Sequence, residues 1–243
     1  MSESIVLIPT YNEIENIEKM VRTVMALPVE FNVLVIDDSS PDGTGEKVKE
    51  LQNEFERLHL LSRKGKEGLG KAYIAGFKWA LKREYELVFE MDCDFSHNPK
   101  DLIKLREACK NGADMAIGSR YVTGVNVVNW PMSRVLLSYF ASSYVRRITN
   151  MPISDSTAGF VCFTRKVLET INLDKIKFKG YAFQIEMKFN TWKFGFNIQE
   201  VPIIFTDRSE GTSKMSKGIV KEAFFGVIEL KIWSLFHSYK RDK

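Results

Sequence analysis

The first half of the chain consists of short apolar runs, each stopped by a charged or Pro/Gly-rich segment. Residues 4–8 end at Pro9, 33–36 break at Asp37-Asp38-Ser39-Ser40-Pro41-Asp42-Gly43, and 58–61 lead to Arg63. Residues 87–91 stop at Asp92, and 114–117 at Gly118-Ser119-Arg120. Unbroken apolar runs of this length suit strands buried on both faces, as in a parallel sheet. The intervening stretches read as helices. Asn12 and Glu15 match a capping box, and Ile14, Ile17, Val21 and Val24 then recur at helical spacing. Further helices are expected over 44–55, 72–81 and 99–109. Strand and helix in this alternation leave few choices besides βαβ units in a doubly wound, mostly parallel α/β sheet with helices on both faces. From about Trp130 the rhythm changes to a longer helix, a strand at 160–163 and a helix at 183–194.

Composition narrows the function. The 243 residues are 44% hydrophobic, enough for a sizeable core. A net charge of +4 is too mild for a nucleic-acid-binding face, so no nucleic-acid partner is expected. Cys93, Cys109 and Cys162 are odd in number and lack metal-site spacing, which favours a reducing compartment. The start, MSESIVLIPTYNE, has no basic region of a signal peptide, and no run approaches the ~18 apolar residues of a membrane span. An intracellular protein, soluble or surface-bound, is the expectation.

Ligands of such sheets sit beyond the carboxyl ends of the strands. There the chain places Pro9-Thr10-Tyr11-Asn12-Glu13, Asp37-Asp38, 63–70, Asp92-Cys93-Asp94 and Gly118-Ser119-Arg120. Two motifs are decoys. Gly65 to Ala72 nearly spells a P-loop, but Ala72 stands where the magnesium-binding hydroxyl is required. That segment is left as a Gly-rich loop, near phosphate or simply exposed. Asp38, Ser40, Asp42 and Gly43 imitate an EF-hand start, but the twelfth position is Lys49. Asp92 and Asp94 are two apart at a strand end, so an extended chain points both the same way. Two carboxylates so placed suit a hard divalent cation bridged to phosphate oxygens. Taken alone, they could equally be a solvated turn before the helix at Pro99.

The ordered set Pro9-Thr10-Tyr11-Asn12-Glu13, Asp37-Asp38, Gly68-Leu69-Gly70-Lys71-Ala72-Tyr73 and Met91-Asp92-Cys93-Asp94-Phe95-Ser96-His97 resembles family 2 glycosyltransferases. Within them the chain looks like the polyprenol (dolichol) monophosphate mannose synthase branch. Gly118-Ser119-Arg120-Tyr121-Val122, Gly159-Phe160, Phe183-Gln184-x-Glu186, Glu200-Val201-Pro202-Ile203 and the 205–215 segment extend the likeness over residues 4–217. The resemblance implies a GT-A fold and transfer of mannose from GDP-mannose to a polyprenyl or dolichyl phosphate, with inversion and Mg²⁺ or Mn²⁺. It places Pro9, Tyr11, Glu13, Ile36 and Asp38 around the guanosine. Asp92, Cys93 and Asp94 would serve metal and diphosphate, with Cys93 at a usual alanine and Ser96 at a position that supplies a further metal ligand in some members. Arg120, Arg208 and Lys214 would lie near the phosphates, although each could also be a solvated surface charge. Arg134 is a weaker candidate, and Ala158 departs from a frequent serine. Donors such as UDP-glucose, or a catalytically dead nucleotide-sugar sensor, are the competing readings.

The catalytic domain is expected over 1–216 and an amphipathic helix over 217–243. The latter mixes Phe224, Ile228, Ile232, Trp233, Leu235 and Phe236 with Lys217, Lys221, Lys231, Lys240, Arg241 and Lys243. It suits an anionic membrane surface, or packing against the domain or a partner. Peripheral association with the cytoplasmic face of a membrane follows, through this helix or a separate membrane-anchoring partner.

Overall fold

The computed structural model describes residues 3–207 and 217–240. In its main sheet β1 (Ser4–Thr10) is flanked in parallel by β2 (Asn32–Asp37) and β4 (Leu87–Glu90). β3 (Leu58–Ser62) adds in parallel to β2. On the other side β7 (Val161–Thr164) runs antiparallel between β4 and β5 (Met115–Ser119), and β8 (Ile198–Pro202) closes the sheet in parallel with β5. The order is β3-β2-β1-β4-β7-β5-β8, the expected mostly parallel sheet with one reversed strand. A small parallel ribbon pairs β6 (Val127–Val128) with β9 (Phe205–Thr206).

Apolar side chains fill both faces of the sheet. On one face α1 (Ile14–Met25), α2 (Thr44–Leu51) and α4 (Asp101–Lys110) bury Ile17, Met20, Val21, Val24, Val48, Leu102 and Leu105 against Val6, Ile8, Val33, Val35 and Phe89. On the other, α3 (Leu69–Leu81) and α7 (Tyr181–Lys193) pack Tyr73, Phe77, Phe183 and Phe189 against Leu7, Leu34, Ile36 and Val88. Two further helices, α5 (Met132–Thr149) and α8 (Lys217–Ser234), complete this side, with the short α6 (Arg165–Thr170) after β7. Val145 of α5 and Val227 and Leu230 of α8 reach the same core.

Two local expectations change. Asn12 does not cap α1: it sits at φ 56, and Glu13, the N-cap residue, makes no side-chain capping bond. The α1 start is held instead by the β2–α2 loop. Ser40 Oγ accepts from Asn12 N, Thr44 Oγ1 from Glu13 N, and Asp42 Oδ2 from Ile14 N at 3.1 Å. The Gly-rich segment stays an exposed loop through Glu67, with open space around Gly65, and becomes a close-packed helix start from Gly68 on. Gly70 N donates to Lys179 O at 2.8 Å, and a Cβ on Gly70 would lie 2.8 Å from Phe178 O. Gly68, at φ +106, makes the turn that starts α3 there, three residues before the expected Ala72.

Candidate active site

The strand ends converge as the sequence predicts, and hydrogen bonds fix each one. At the end of β2, Asp37 Oδ1 accepts from Thr10 Oγ1 (3.0 Å) and Ser40 Oγ (2.5 Å), which ties β1 to the turn. Asp38 Oδ1 accepts from Arg63 Nη1 at 2.6 Å, in a nearly buried pair. Burial raises the Asp38 carboxyl above its ordinary range, and the Arg63 charge opposes that shift. Tyr11 and Glu13 are half-buried at the β1 end, with Lys66 Nζ 4.7 Å from the Tyr11 ring centre and Glu13 bonded to Asn16. Pro9 is half-buried beside them. The Ile36 side chain is fully buried in the core beneath Gly76, so at the end of β2 only its backbone is offered to a ligand.

After β4 the chain turns sharply, with Phe95 at φ 59. Asp94 Oδ1 accepts from both Ser96 N (3.1 Å) and Ser96 Oγ (2.5 Å), so the serine orients the carboxylate. Cys93 is buried in the core under α1 and α4, which leaves its backbone as the part nearest the acidic pair. Asp92 is half-buried, and its N–H donates to His97 Nδ1 at 3.3 Å. That ring stacks on Phe160, centroids 4.9 Å apart, and meets the edge of Phe205. Burial pushes the His97 imidazole down to about 4, the neutral form in which Nδ1 can accept. Among the described residues no three His, Cys, Asp or Glu side chains form a ready metal cage. Two carboxylates and a hydroxyl are nevertheless an all-oxygen set, suited to a hard cation that takes its remaining ligands from a diphosphate.

Past β5, Arg120 is buried and clamped by Asp155. Its backbone N, Nε and Nη2 donate to that carboxylate at 2.9, 2.7 and 2.6 Å, and Nη2 also donates to Thr157. Tyr121, Trp130 and Phe205 surround the guanidinium, each ring centre within 5.6 Å. Burial works to raise the Asp155 carboxyl, but the Arg120 charge and hydrogen bonds outweigh it and hold it low. Glu200 steadies the same turn, accepting from Ser154 N, Asp155 N and Ser119 Oγ. Arg134 pairs with Asp207 at 2.8 Å and lies over Trp130. Thr206 N donates to Ser96 O, which joins β9 to the acidic turn. Arg208 and Lys214 lie outside the described residues.

The sequence reading held Arg63 only as part of the 63–70 segment, and it missed both the Arg63–Asp38 pair and the Asp155 clamp on Arg120. It also missed a buried polar set behind the acidic pair. Glu90 Oε2 accepts from Gln184 Nε2 at 2.7 Å, and Lys188 Nζ donates to Ala158 O at 2.6 Å. Burial raises the Glu90 carboxyl and lowers the Lys188 ammonium, while each charge opposes the other's shift. Charged residues inside a parallel-sheet core were the available signal.

The profile of glycosyl transferase family 2 matches residues 5–171. The chain belongs to this family. It is 47% identical over 227 residues to a polyprenol monophosphomannose synthase from Mycolicibacterium smegmatis, covering 93% of this chain and 86% of that one. It is 46% identical to an undecaprenyl-phosphate mannosyltransferase from Micrococcus luteus, over 94% of this chain and 93% of the relative. Among solved structures, glucosyl-3-phosphoglycerate synthase from Mycobacterium tuberculosis, in complex with Mn²⁺ and UDP, superposes with a TM-score of 0.67 at 16% identity. That match covers 94% of this chain and 80% of the other. A mannosyltransferase from Pyrobaculum calidifontis in complex with GDP-Man and Mn²⁺ gives 0.58 at 15% identity, over 96% and 72%. These structural likenesses establish the shared fold, the GT-A-like sheet expected from the sequence.

Proposed function

We propose that this family 2 glycosyltransferase moves mannose from GDP-mannose to a polyprenyl (dolichyl-type) phosphate. The observation behind this reading is near-full-length identity to two enzymes whose names pair mannose with a polyprenyl carrier. The strand-end geometry supports it. Asp92 and Asp94, with Ser96 beside them, would hold Mg²⁺ or Mn²⁺, which when bound would offset charge on the leaving diphosphate. Pro9, Tyr11, Glu13 and the Asp38–Arg63 pair line the adjoining strand ends and are assigned to the nucleoside.

A phosphate acceptor removes the need for a base. Its second pKa is about 6, so near neutrality it is largely dianionic and can attack the anomeric carbon directly, with inversion. The residues present fit that economy. His97 is buried, and its Nδ1 already accepts the Asp92 N–H. The protein's task is to hold two anionic groups together, a role assigned to Arg120, Arg208 and Lys214.

A lipid acceptor also requires a place to meet the membrane. On α5, Met132, Leu136 and Phe140 recur at spacings of four and are 69, 47 and 62% exposed. On α8 and just beyond it, Phe225, Ile232, Leu235 and Phe236 are exposed as well. The two helices are stitched together by Tyr144, which stacks on Phe224 at 4.8 Å and donates to its carbonyl. Arg146 and Arg147 lie in the last turn of α5 and Lys231 in that of α8. Exposed apolar residues with basic neighbours suit an anionic bilayer surface. Peripheral docking at the cytoplasmic face is therefore part of the proposal, aided by a membrane-anchoring partner where this surface does not suffice. No described helix is long and apolar enough to cross a membrane.

The deciding experiment incubates purified protein and Mg²⁺ with a panel of labelled nucleotide sugars and a polyprenyl phosphate, then extracts the lipid. Label from GDP-mannose is expected in the lipid phase. Label from UDP-glucose alone overturns the mannose assignment.

A further inference from the structure

Lysine is almost never fully buried unless its charge is met, because an ammonium stripped of water costs several kcal/mol. Lys188, in the middle of α7, has no exposed surface. Its three N–H donors have three acceptors: Ala158 O at 2.6 Å, Gln184 Oε1 at 3.2 Å and Gln184 O at 3.3 Å. The shortest bond leaves the helix. Gln184 is fixed in one sense, since its Oε1 takes the ammonium and its Nε2 donates to Glu90 Oε2. A directional chain thus runs from Ala158 through Lys188 and Gln184 to Glu90, the last residue of β4 and two positions before Asp92.

The other end of this chain is the turn that holds Arg120. Asp155 supplies the carboxylate for the guanidinium, and Ala158 N donates back to Asp155 O at 3.4 Å. Gly159, next in line, lies between the network and the acidic turn: a Cβ there would be 4.0 Å from Gln184 Nε2 and 4.0 Å from His97 Cε1. Glu200 grips the front of the turn through Ser154 N and Asp155 N, and Lys188 grips its back through Ala158 O. An apolar side chain of similar size would fill this space without the desolvation cost, so the ammonium is poorly explained by stability alone.

We propose that Lys188 is a positioning residue for the transfer reaction: it fixes the 155–159 turn, and through Asp155 the Arg120 guanidinium, against the strand end bearing Asp92 and Asp94. This rests on the functional reading above. Lys188 touches no substrate. Its effect is on where the Arg120 charge stands relative to the acidic pair, and so on the chemical step more than on donor capture.

The test uses the full chain with Lys188→Met, Lys188→Arg and the charge-balanced pair Glu90→Gln with Lys188→Met, each also placed in an Arg120→Lys background. Lys188→Met is expected to lower kcat by about tenfold or more while donor KM moves less than about threefold, and Lys188→Arg to restore part of the loss. In the Arg120→Lys background the further loss should shrink to less than about twofold, the mark of residues acting through one another. Hydrogen exchange should rise in 154–160 and 119–121 while the interior of α7 stays protected. Unchanged kcat in Lys188→Met, or full additivity with Arg120→Lys, overturns the proposal. So does loss of cooperative unfolding in both Met variants, because the lysine would then serve the whole core. A wild-type chain that transfers no sugar at all refutes the functional reading instead, and exchange at 154–160 alone then decides on Lys188.

Discussion

Asp94 and Ser96 show what one local bond adds to a motif. Ser96 gives both its N–H and its Oγ–H to Asp94 Oδ1, so the carboxylate is aimed before any ligand arrives. Asp94→Asn removes a charge and should lower transfer by about a hundredfold or more with the melting temperature unchanged. Ser96→Ala keeps the charge and loses its orientation, and about tenfold is expected. Steady-state rates across a metal titration check both; wild-type activity in Asp94→Asn would falsify the assignment of the pair. The Asp-x-Asp spacing was legible in the sequence because strand geometry acts over two residues. The Asp155–Arg120 clamp was not, since its partners are 35 residues apart and meet only when β7 inserts between β4 and β5. Ile36 and Cys93 carry the opposite lesson. Residues inside a motif need not face the ligand, and here both side chains pack in the core.

At the level of elements, the strand–helix order is legible because it follows from short-range periodicity, whereas the helix starts depend on contacts from elsewhere. Asp42 bridges two of them, accepting from Thr44 N and Thr44 Oγ1 in α2 and from Ile14 N in α1. No sequence window around Asn12 contains that residue. Asp42→Ala should cost about 1–2 kcal/mol, the usual range for losing a helix cap, measured by urea unfolding. Helix α7 makes a second link of this kind. Glu186 accepts from Lys177 N and Phe178 N at 3.0 and 3.1 Å, yet burial pushes its carboxyl up to about 7 from 4.5. The folded state therefore keeps a proton that the unfolded state has released between those values. Its contribution is complete below pH 4.5 and is lost as pH rises through about 7. Glu186→Gln retains an acceptor without the titration, so it should gain stability relative to wild type between pH 5 and 8. An unfolding free-energy difference that does not change across that range would exclude the linkage.

For the whole molecule, the question is how the site reaches a phosphate carried by a lipid. The sequence offered the 217–243 segment alone, because its aromatic and basic residues are contiguous. The structure brings α5 alongside it through the Tyr144–Phe224 contact, a pairing across 80 residues that periodicity cannot reveal. It also argues against removing α8 as a test. Val227 and Leu230 are buried in the main core and Phe224 supports Tyr144, so a deletion would disturb packing and docking together. Point changes on α5 separate the two. Leu136 and Phe140 are 47 and 62% exposed, and aspartate at either should leave the melting temperature within a few degrees. The pair Leu136→Asp and Phe140→Asp adds two negative charges to the proposed docking surface and removes its apolar contact. Binding to vesicles of mixed neutral and anionic lipid should weaken by about tenfold or more, measured by cosedimentation. Transfer to a long-chain polyprenyl phosphate in those vesicles should fall with it, while transfer to a short, soluble analogue should hold. The lead of this surface into the site makes that separation reasonable: Tyr139 of α5 meets Tyr121, next to Arg120, with ring centres 5.7 Å apart. Equal losses on both acceptors would place the α5 face in catalysis or folding, and unchanged vesicle binding would remove it from the docking surface.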